Sequence, residues 1–192
     1  MKNVTRALKI QILVLGGFLL LCWILETVDS FVLQQWLNHF GIVPRTKDGL
    51  WGILWMPFLH GGFPHLVANT VPFALFGWLI FTRGWKQFLG VTVIASVVGG
   101  LGVWLFGAPN SVHIGASLLI YGYLGFLMAA GFFERKPLSI IISLVVGYFF
   151  WRALAGVLPG QVGISWEGHL FGFLGGVTAA KLLASKEPEG RK

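Results

Sequence analysis

The sequence predicts an all-α membrane protein, a single bundle of six transmembrane helices with both termini in the cytoplasm. Of its 192 residues, 56% are hydrophobic and only 11% are charged, which is less charge than a soluble domain of this length needs on its surface. The mean hydropathy of +0.78 points the same way. The net charge of +7 lies in short segments between apolar runs, where membrane topology places it, so nucleic acid is not an expected partner.

Six apolar runs approach the roughly 20 residues that a helical span requires. They cover about 8–26, 66–83, 87–106, 115–133, 138–157 and 169–185. The first run follows Lys2, Arg6 and Lys9, as in a signal peptide, but its length and its "ETVDS" end favour an uncleaved span. We therefore expect one membrane domain over residues 1–192, with 186–192 as a mixed, basic cytoplasmic tail.

The basic residues predict the orientation, because Lys and Arg concentrate in cytoplasmic loops. With the N-terminus inside, only Arg45, Lys47 and Arg152 lie outside or near the outer end of a span. The other 11 of the 14 lie inside: Lys2, Arg6, Lys9, Arg83, Lys86, Arg135, Lys136, Lys181, Lys186, Arg191 and Lys192. An even number of spans returns the chain to the same side, which fits both termini being cytoplasmic.

The segment between the first two spans, about residues 27–64, is rich in Trp and Phe but interrupted by Gly, Pro and charges. It predicts two short helices in or on the outer membrane interface. The single cysteine, Cys22, lies in the first apolar run, which excludes an internal disulfide framework and a multi-cysteine metal site.

Polar side chains stand at the start of spans two, four and six, in "HGGFPHLVANT", "HIGASLLIY" and "SWEGHLFGFLGG". Such residues are costly at membrane depth and mark functional sites by default. The predicted topology places all three clusters, with His65, Asn69, Ser117, Glu167 and His169, near the outer face at similar depth.

The spacing within each cluster has a geometric consequence. His65 and Asn69 are four residues apart and share one helix face. Ser117 lies in the first turn of its helix, where unpartnered N–H groups and the helix dipole favour an anion, including a transient oxyanion. Gly115 allows the backbone to approach closely just before the serine.

Glycines predict which spans pack together. Gly172 begins a G-x-x-x-G face in span six, and such faces let helices approach closely. Span four offers small residues at Gly122 and Gly125, so we expect these two spans to pack and to bring His169 to Ser117.

This arrangement predicts a Ser–His dyad. A serine hydroxyl becomes a good nucleophile when a neighbouring base takes its proton, and neutral histidine is the usual base. Ser117 is the candidate nucleophile and His169 the candidate base; Glu167 is two residues from His169 and lies on another face. The backbone N–H of Ser117 and the side chains of His65 and Asn69 are the candidate oxyanion-hole donors.

The ordered set of motifs resembles the rhomboid family of intramembrane serine proteases, of the six-span bacterial type. The resemblance rests on His60 and His65-x-x-x-Asn69, on Gly115-Ala116-Ser117 with Tyr121 and Gly125, and on His169-x-x-Gly172-x-x-x-Gly176.

The resemblance implies a rhomboid-like bundle whose active site opens towards the outer face of a bacterial inner membrane. It implies Ser117 as nucleophile, His169 as base, an oxyanion hole with His65 and Asn69, and Tyr121 stacked on His169. The expected activity is serine endopeptidase cleavage in or near the transmembrane segments of other proteins in the bilayer, with no cofactor and no metal.

Two positions depart from the family pattern. Leu118 follows the nucleophile where the family usually carries Gly, so we expect a bulky side chain beside the active site and an effect on substrate preference. Trp51-Gly52 stands where the family usually carries Trp-Arg, which we expect to change how the interfacial segment sits in lipid.

Two alternatives remain open. One is a catalytically silent rhomboid-like protein that binds membrane partners, for which Leu118 is the argument. The other is a metal-binding protein or transporter, because imidazoles suit Zn²⁺; against it stand Asn69, a poor ligand, and the lack of an inward row of carboxylates. The candidate ligands in that case are His60, His65, His113 and His169. Outside the metal hypothesis, His60 and His113 are interpreted as structural.

Overall fold

The computed structural model describes residues 2–161 and 163–184, and this part of the chain is helical with no β-strand. Seven α-helices occur in it: α1 Lys2–Val28, α2 Lys47–Trp55, α3 Phe63–Phe81, α4 Trp85–Phe106, α5 Ser117–Glu134, α6 Pro137–Phe150 and α7 Trp166–Leu183. Shorter helical turns cover Asp29–Leu33, Trp36–Phe40, Met56–Phe58 and Trp151–Val157. The last of these continues α6 and is called the α6 extension. The tail predicted at 186–192 lies outside the described residues.

Five helical stretches within the described residues are long and apolar enough to cross a membrane, which confirms the all-helical membrane class. They are Arg6–Leu33, Phe63–Phe81, Trp85–Phe106, Ser117–Glu134 and Pro137–Val157. Helix α7 is not among them, because Glu167, His169, Lys181 and several glycines lower its hydropathy. Six spans and the cytoplasmic position of both termini therefore stay predictions.

Helix α5 forms the centre of the bundle. It packs against α3, α4, α6 and α7, and 67% of its apolar stretch is buried, against 6% for α6 and its extension. A helix that is apolar all round and covered by other helices occupies a core. The residues at the start of α5 are therefore fixed by packing, whereas α6 lies at the periphery.

Glycines allow the closest contacts of α7, as the sequence predicted for spans four and six. A Cβ atom at Gly172 would collide with the carbonyl oxygen of Leu118, and one at Gly125 would collide with the backbone of Phe173. On its other side, α7 meets α4, where a Cβ at Gly175 would lie 3.0 Å from the Cα of Ala95. These contacts hold the second and third turns of α7 against α5 and α4.

The segment between α1 and α3 differs from the two predicted interfacial helices. Only the second is an α-helix, α2, which is capped by the Thr46 hydroxyl accepting the N–H of Gly49. The first breaks into two short turns because Gln34 and Gln35 adopt left-handed backbone conformations, with φ of 55° and 65°, and a left-handed residue ends a helix.

Candidate active site

A cavity of about 860 Å³ opens where α3, α5 and α7 begin. It is lined by His65 and Asn69 from α3, Ser117 and Tyr121 from α5, and His169 from α7. The fold therefore brings together side chains that are 104 positions apart in the chain, from His65 to His169.

Two side chains on α3 bring hydrogen-bond donors to the lining of this cavity. Gly61 N–H donates to Nδ1 of His65 at 3.4 Å, so the proton of the neutral imidazole is on Nε2. Asn69 is buried, and its Nδ2 has no hydrogen-bond partner in the described part of the chain. A buried donor without a partner is costly, and it is well suited to an oxygen supplied by a ligand.

Gly115 places the backbone beside these donors. Its φ is 111°, a conformation that glycine adopts readily. A Cβ there would lie 2.7 Å from Nε2 of His65 and 3.5 Å from Nδ2 of Asn69. Any side chain at this position would therefore fill the space next to both donors.

Ser117 begins α5 and is almost buried, with 8% of its surface exposed. The residue at the N-cap is Ala116, whose side chain accepts no hydrogen bond. Within the described residues, no N-cap side chain therefore satisfies the first-turn N–H groups of α5. This end of the helix presents N–H donors and a serine hydroxyl at the same place.

His169 lies in the first turn of α7 and stacks on Tyr121. The ring centroids are 4.0 Å apart and the planes differ by 9°. The Tyr121 hydroxyl donates to the carbonyl of Ala153 at 2.8 Å. The stacked arrangement is the one that the resemblance implied.

A backbone carbonyl fixes the tautomer of His169. Its Nδ1 lies 3.0 Å from the oxygen of Gly156, and a carbonyl oxygen can only accept. Nδ1 therefore carries the proton, and the lone pair of the neutral ring is on Nε2, as a general base requires. Sequence reasoning missed this partner because a backbone group has no sequence signal beyond the glycine itself.

Ser117 and His169 line the same cavity without a direct hydrogen bond between their side chains. Catalytic hydrogen bonds are often long before substrate binds and tighten in the complex. The geometry can thus support proton transfer from the Ser117 hydroxyl to the His169 imidazole once the two side chains approach each other.

Leu118 does not lie beside the active site, so that expectation is wrong. Its side chain is 2% exposed and packs where Gly99 of α4 leaves room: a Cβ at Gly99 would lie 2.9 Å from Cδ2 of Leu118. Successive helix residues differ by 100° in direction, so Leu118 points into the interface of α4, α5 and α7 while Ser117 faces the cavity.

Gly52 is also explained by packing. It is buried, and a Cβ there would lie 2.6 Å from the backbone nitrogen of Ile42 and would collide with the backbone of Gly41. The segment before α2 therefore excludes a long side chain at this position, where the sequence suggested an effect on lipid contact.

Two buried histidines lie outside the spans. His60 is 2% exposed, stands edge-on to His65 with ring centroids 5.1 Å apart, and has no hydrogen-bond partner in the described residues. Burial, with His65 adding to it, lowers the pKa of His60 to about 4; the Phe58 backbone opposes this shift weakly. Burial also lowers the pKa of His113, and the charge of Glu167 offsets part of that effect.

Glu167 lines the cavity with 6% of its surface exposed. Arg152 lies over the ring of Trp151, with its guanidinium carbon 5.8 Å from the ring centroid. Within the described ranges, the histidines and carboxylates form no group of three that could hold a metal ion.

Several known proteins are similar to this chain over most of its length. Residues 47–186 match the Rhomboid domain family. The uncharacterized protein Rv1337 of Mycobacterium tuberculosis is 41% identical over 191 aligned residues, covering 93% of this chain and 79% of that protein. A Bacillus subtilis relative named "Putative rhomboid protease YdcA" is 25% identical over 169 residues, covering 86% and 84%. Rhomboid-like protease 5 of Toxoplasma gondii is 27% identical over 136 residues, covering 69% of this chain and 16% of its own length.

Proposed function

This chain belongs to the rhomboid family, and we propose that it is an intramembrane serine endopeptidase that works through a Ser117–His169 dyad. One observation carries the proposal: Ser117, His169 with its Nδ1 bound to a carbonyl so that Nε2 is the base nitrogen, and the side chains of His65 and Asn69 line one cavity. Among the described residues, Nδ2 of Asn69 has no hydrogen-bond partner. A structural serine or a helix cap would need none of these companions.

The proposed reaction begins with attack of Ser117 Oγ on the carbonyl carbon of a substrate peptide bond. Nε2 of His169 takes the hydroxyl proton as the C–O bond forms, and the carbonyl electron pair moves to oxygen. The first-turn N–H of Ser117 and the side chains of His65 and Asn69 bind the resulting oxyanion. The intermediate then expels the amine, which takes the proton from His169, and water hydrolyses the acyl-enzyme by the same steps.

The membrane arrangement is part of the proposal. We place α7 as the sixth span, because its 18 residues reach about 27 Å, and its polar and glycine-rich face packs on α4 and α5. Polar residues are tolerated in a span when they face the bundle interior. Both termini are then cytoplasmic, and the cavity opens towards the outer face of a bacterial inner membrane.

The substrates in this proposal are transmembrane segments of other proteins. A stable helix hides its peptide carbonyls in hydrogen bonds, so the bond to be cut must first leave the helix. We expect cleavage near small or helix-breaking residues. A cleavage map with cuts only inside stable Leu-rich helix would contradict this preference.

Cleavage of a single-span reporter by the purified protein in proteoliposomes tests the proposal. Ser117→Ala and His169→Ala should each lower the rate by about 10³-fold or more. Ser96→Ala on α4 and His39→Ala in the exposed Trp36–Phe40 turn are matched controls away from the cavity, and both should cleave like the wild type.

A second readout uses a fluorophosphonate, a reagent that modifies activated serines. It should label Ser117 in the wild type and fail to label His169→Ala. A folded wild type that neither cleaves nor becomes labelled would favour the alternative, a rhomboid-like protein that binds membrane partners without catalysis.

A further inference from the structure

His113 joins the two segments that lead into α5 and α7. Its Nδ1 lies 2.6 Å from Oγ of Ser165, and its Nε2 lies 2.8 Å from Oγ of Ser111. The imidazole is 5% exposed and lines the cavity. Neither hydroxyl takes part in the proposed reaction.

The neighbours of the two hydroxyls fix the direction of each hydrogen bond. Ser165 is the N-cap of α7 and accepts the N–H of Gly168 at 3.1 Å, so its own proton can go to Nδ1 of His113. On the other side, the Ser111 hydroxyl donates to the carbonyl of Ala108 at 2.6 Å and accepts from Nε2–H. The neutral Nε2–H tautomer of His113 satisfies every group in this chain.

Each residue of the His113–Ser165 pair lies four positions before one member of the proposed dyad. Ser165 precedes His169 by four residues, and the N–H of His169 donates to the carbonyl of Ser165 at 3.1 Å. His113 likewise precedes Ser117 by four residues. Its backbone is held in turn, because it exchanges two 2.9 Å hydrogen bonds with Ile42.

We propose that His113 is a positioning residue: its imidazole ties the N-cap of α7 to the segment before α5 and so sets the distance between Ser117 and His169. This inference rests on the proposed function. The purely structural interpretation of His113 is thereby replaced by a positioning role, because the imidazole acts through Ser165 on the start of α7, the helix that carries the base. A shift of about 1 Å between reacting groups can cost about 10²-fold in rate.

Two amide variants separate the two sides of the ring. In His113→Asn, Oδ1 takes the place of Nδ1 and can accept from Ser165, while the bond to Ser111 is lost. In His113→Gln, the side-chain nitrogen takes the place of Nε2 and can donate to Ser111, while Ser165 loses its acceptor. The two variants thus have similar polarity and opposite effects on the link to α7.

The experiment measures kcat and KM for the single-span reporter in proteoliposomes. His113→Gln should lower kcat by about 10-fold or more with KM within twofold of the wild type. His113→Asn should keep kcat within about threefold. A structural role alone would lower the folded fraction of both variants and leave the kcat of the folded enzyme equal in the two.

Single variants of Ser165 provide a second test that does not depend on the folding of the His113 variants. Ser165→Thr keeps the cap and the hydroxyl, whereas Ser165→Gly removes the hydroxyl at little cost to the helix, because glycine is tolerated at an N-cap. We expect a loss of kcat in the glycine variant only. The double variant His113→Gln/Ser165→Gly should lose no more than the larger single loss, because both changes break the same bond.

The outcomes distinguish this inference from the proposed function. Wild-type cleavage that depends on Ser117, together with equal kcat for the Asn and Gln variants or with additive losses in the double variant, would overturn the positioning role alone. Absence of cleavage dependent on Ser117 would overturn the proposed function and this inference with it.

Discussion

The Nδ1 atom of His169 lies 3.0 Å from the carbonyl oxygen of Gly156, so a backbone group orients the candidate base. The same α6 extension holds the stacked ring of Tyr121 through the carbonyl of Ala153. A carboxylate usually fills this orienting place beside a catalytic histidine. Here the carbonyl of Gly156 does so, and the carbonyl of Ala153 holds the ring that stacks on the histidine, so the position of this peripheral turn affects the candidate base.

Gly156→Ala should therefore lower kcat by about 10-fold or more while leaving the protein folded. A Cβ at this position would collide with the Tyr121 hydroxyl and lie 3.1 Å from Nδ1 of His169, so the turn must move away from both rings. Steady-state cleavage of the reporter measures the effect. Gly147→Ala in α6 is the matched control, because its Cβ would meet only Cε of Met128 at 3.8 Å. Equal rates for the two variants would show that the carbonyl does not orient the base.

Leu118→Ala should destabilise the protein by about 2 kcal/mol or more, because it leaves a cavity between α4, α5 and α7. The side chain is 2% exposed and packs against Gly99. Unfolding by denaturant in mixed micelles gives the free energy of unfolding. Leu144→Ala, at a side chain that is 68% exposed on α6, is the control and should be nearly neutral. Leu118→Gly should likewise lose stability and gain no activity; a gain would mean that the leucine restricts the active site after all.

Asn69→Ala should lower kcat by about 10²–10³-fold, the usual effect of removing one oxyanion donor. The free energy of unfolding of Asn69→Ala should be nearly unchanged or higher. The Nδ2 atom is buried without a partner in the described residues, so its removal breaks no hydrogen bond. Parallel measurement of kcat, KM and the free energy of unfolding separates these effects. A loss of stability large enough to explain the loss of rate would argue for a structural amide.

His60 should make the protein less stable at acidic pH. The pKa of His60 is lowered to about 4 by burial, while the unfolded chain has the ordinary value near 6.5. Between these values the unfolded state binds a proton that the folded state does not, so the free energy of unfolding falls as pH decreases from about 6.5 to 4, by up to about 3 kcal/mol. Above pH 6.5 the contribution is complete.

The variant His60→Phe isolates this contribution, because phenylalanine keeps a ring in the buried site and does not titrate. The difference in free energy of unfolding between wild type and variant should change with pH between 4 and 6.5 and stay constant above 7. Parallel curves across the whole range would mean that His60 is as readily protonated in the folded protein as in the unfolded chain.

Much of the fold could be read from the sequence because the signals are local. Apolar runs of the right length predict helices α3, α4 and α5 to within three residues at each end, since the length of a span is set by the thickness of the bilayer. Helix α1 begins six residues before its predicted run, and the predicted run 138–157 corresponds to α6 together with its extension. The apolar pattern predicts the start of the last run three residues too late. Helix α7 begins at Trp166 because the Ser165 hydroxyl caps it, and such a cap leaves no signal in the hydropathy.

The sequence by itself determined which residue types could do chemistry and in what order they follow along the chain. Polar side chains at membrane depth are costly and therefore mark functional sites, and those found here are His65, Asn69, Ser117 and His169. The tertiary structure decided which backbone groups meet them. Whether Leu118 faces substrate or α4, and whether the carbonyl of Gly156 reaches His169, depends on how helices distant in sequence pack. Spacing along the chain carries no information about such contacts until the helices are placed together.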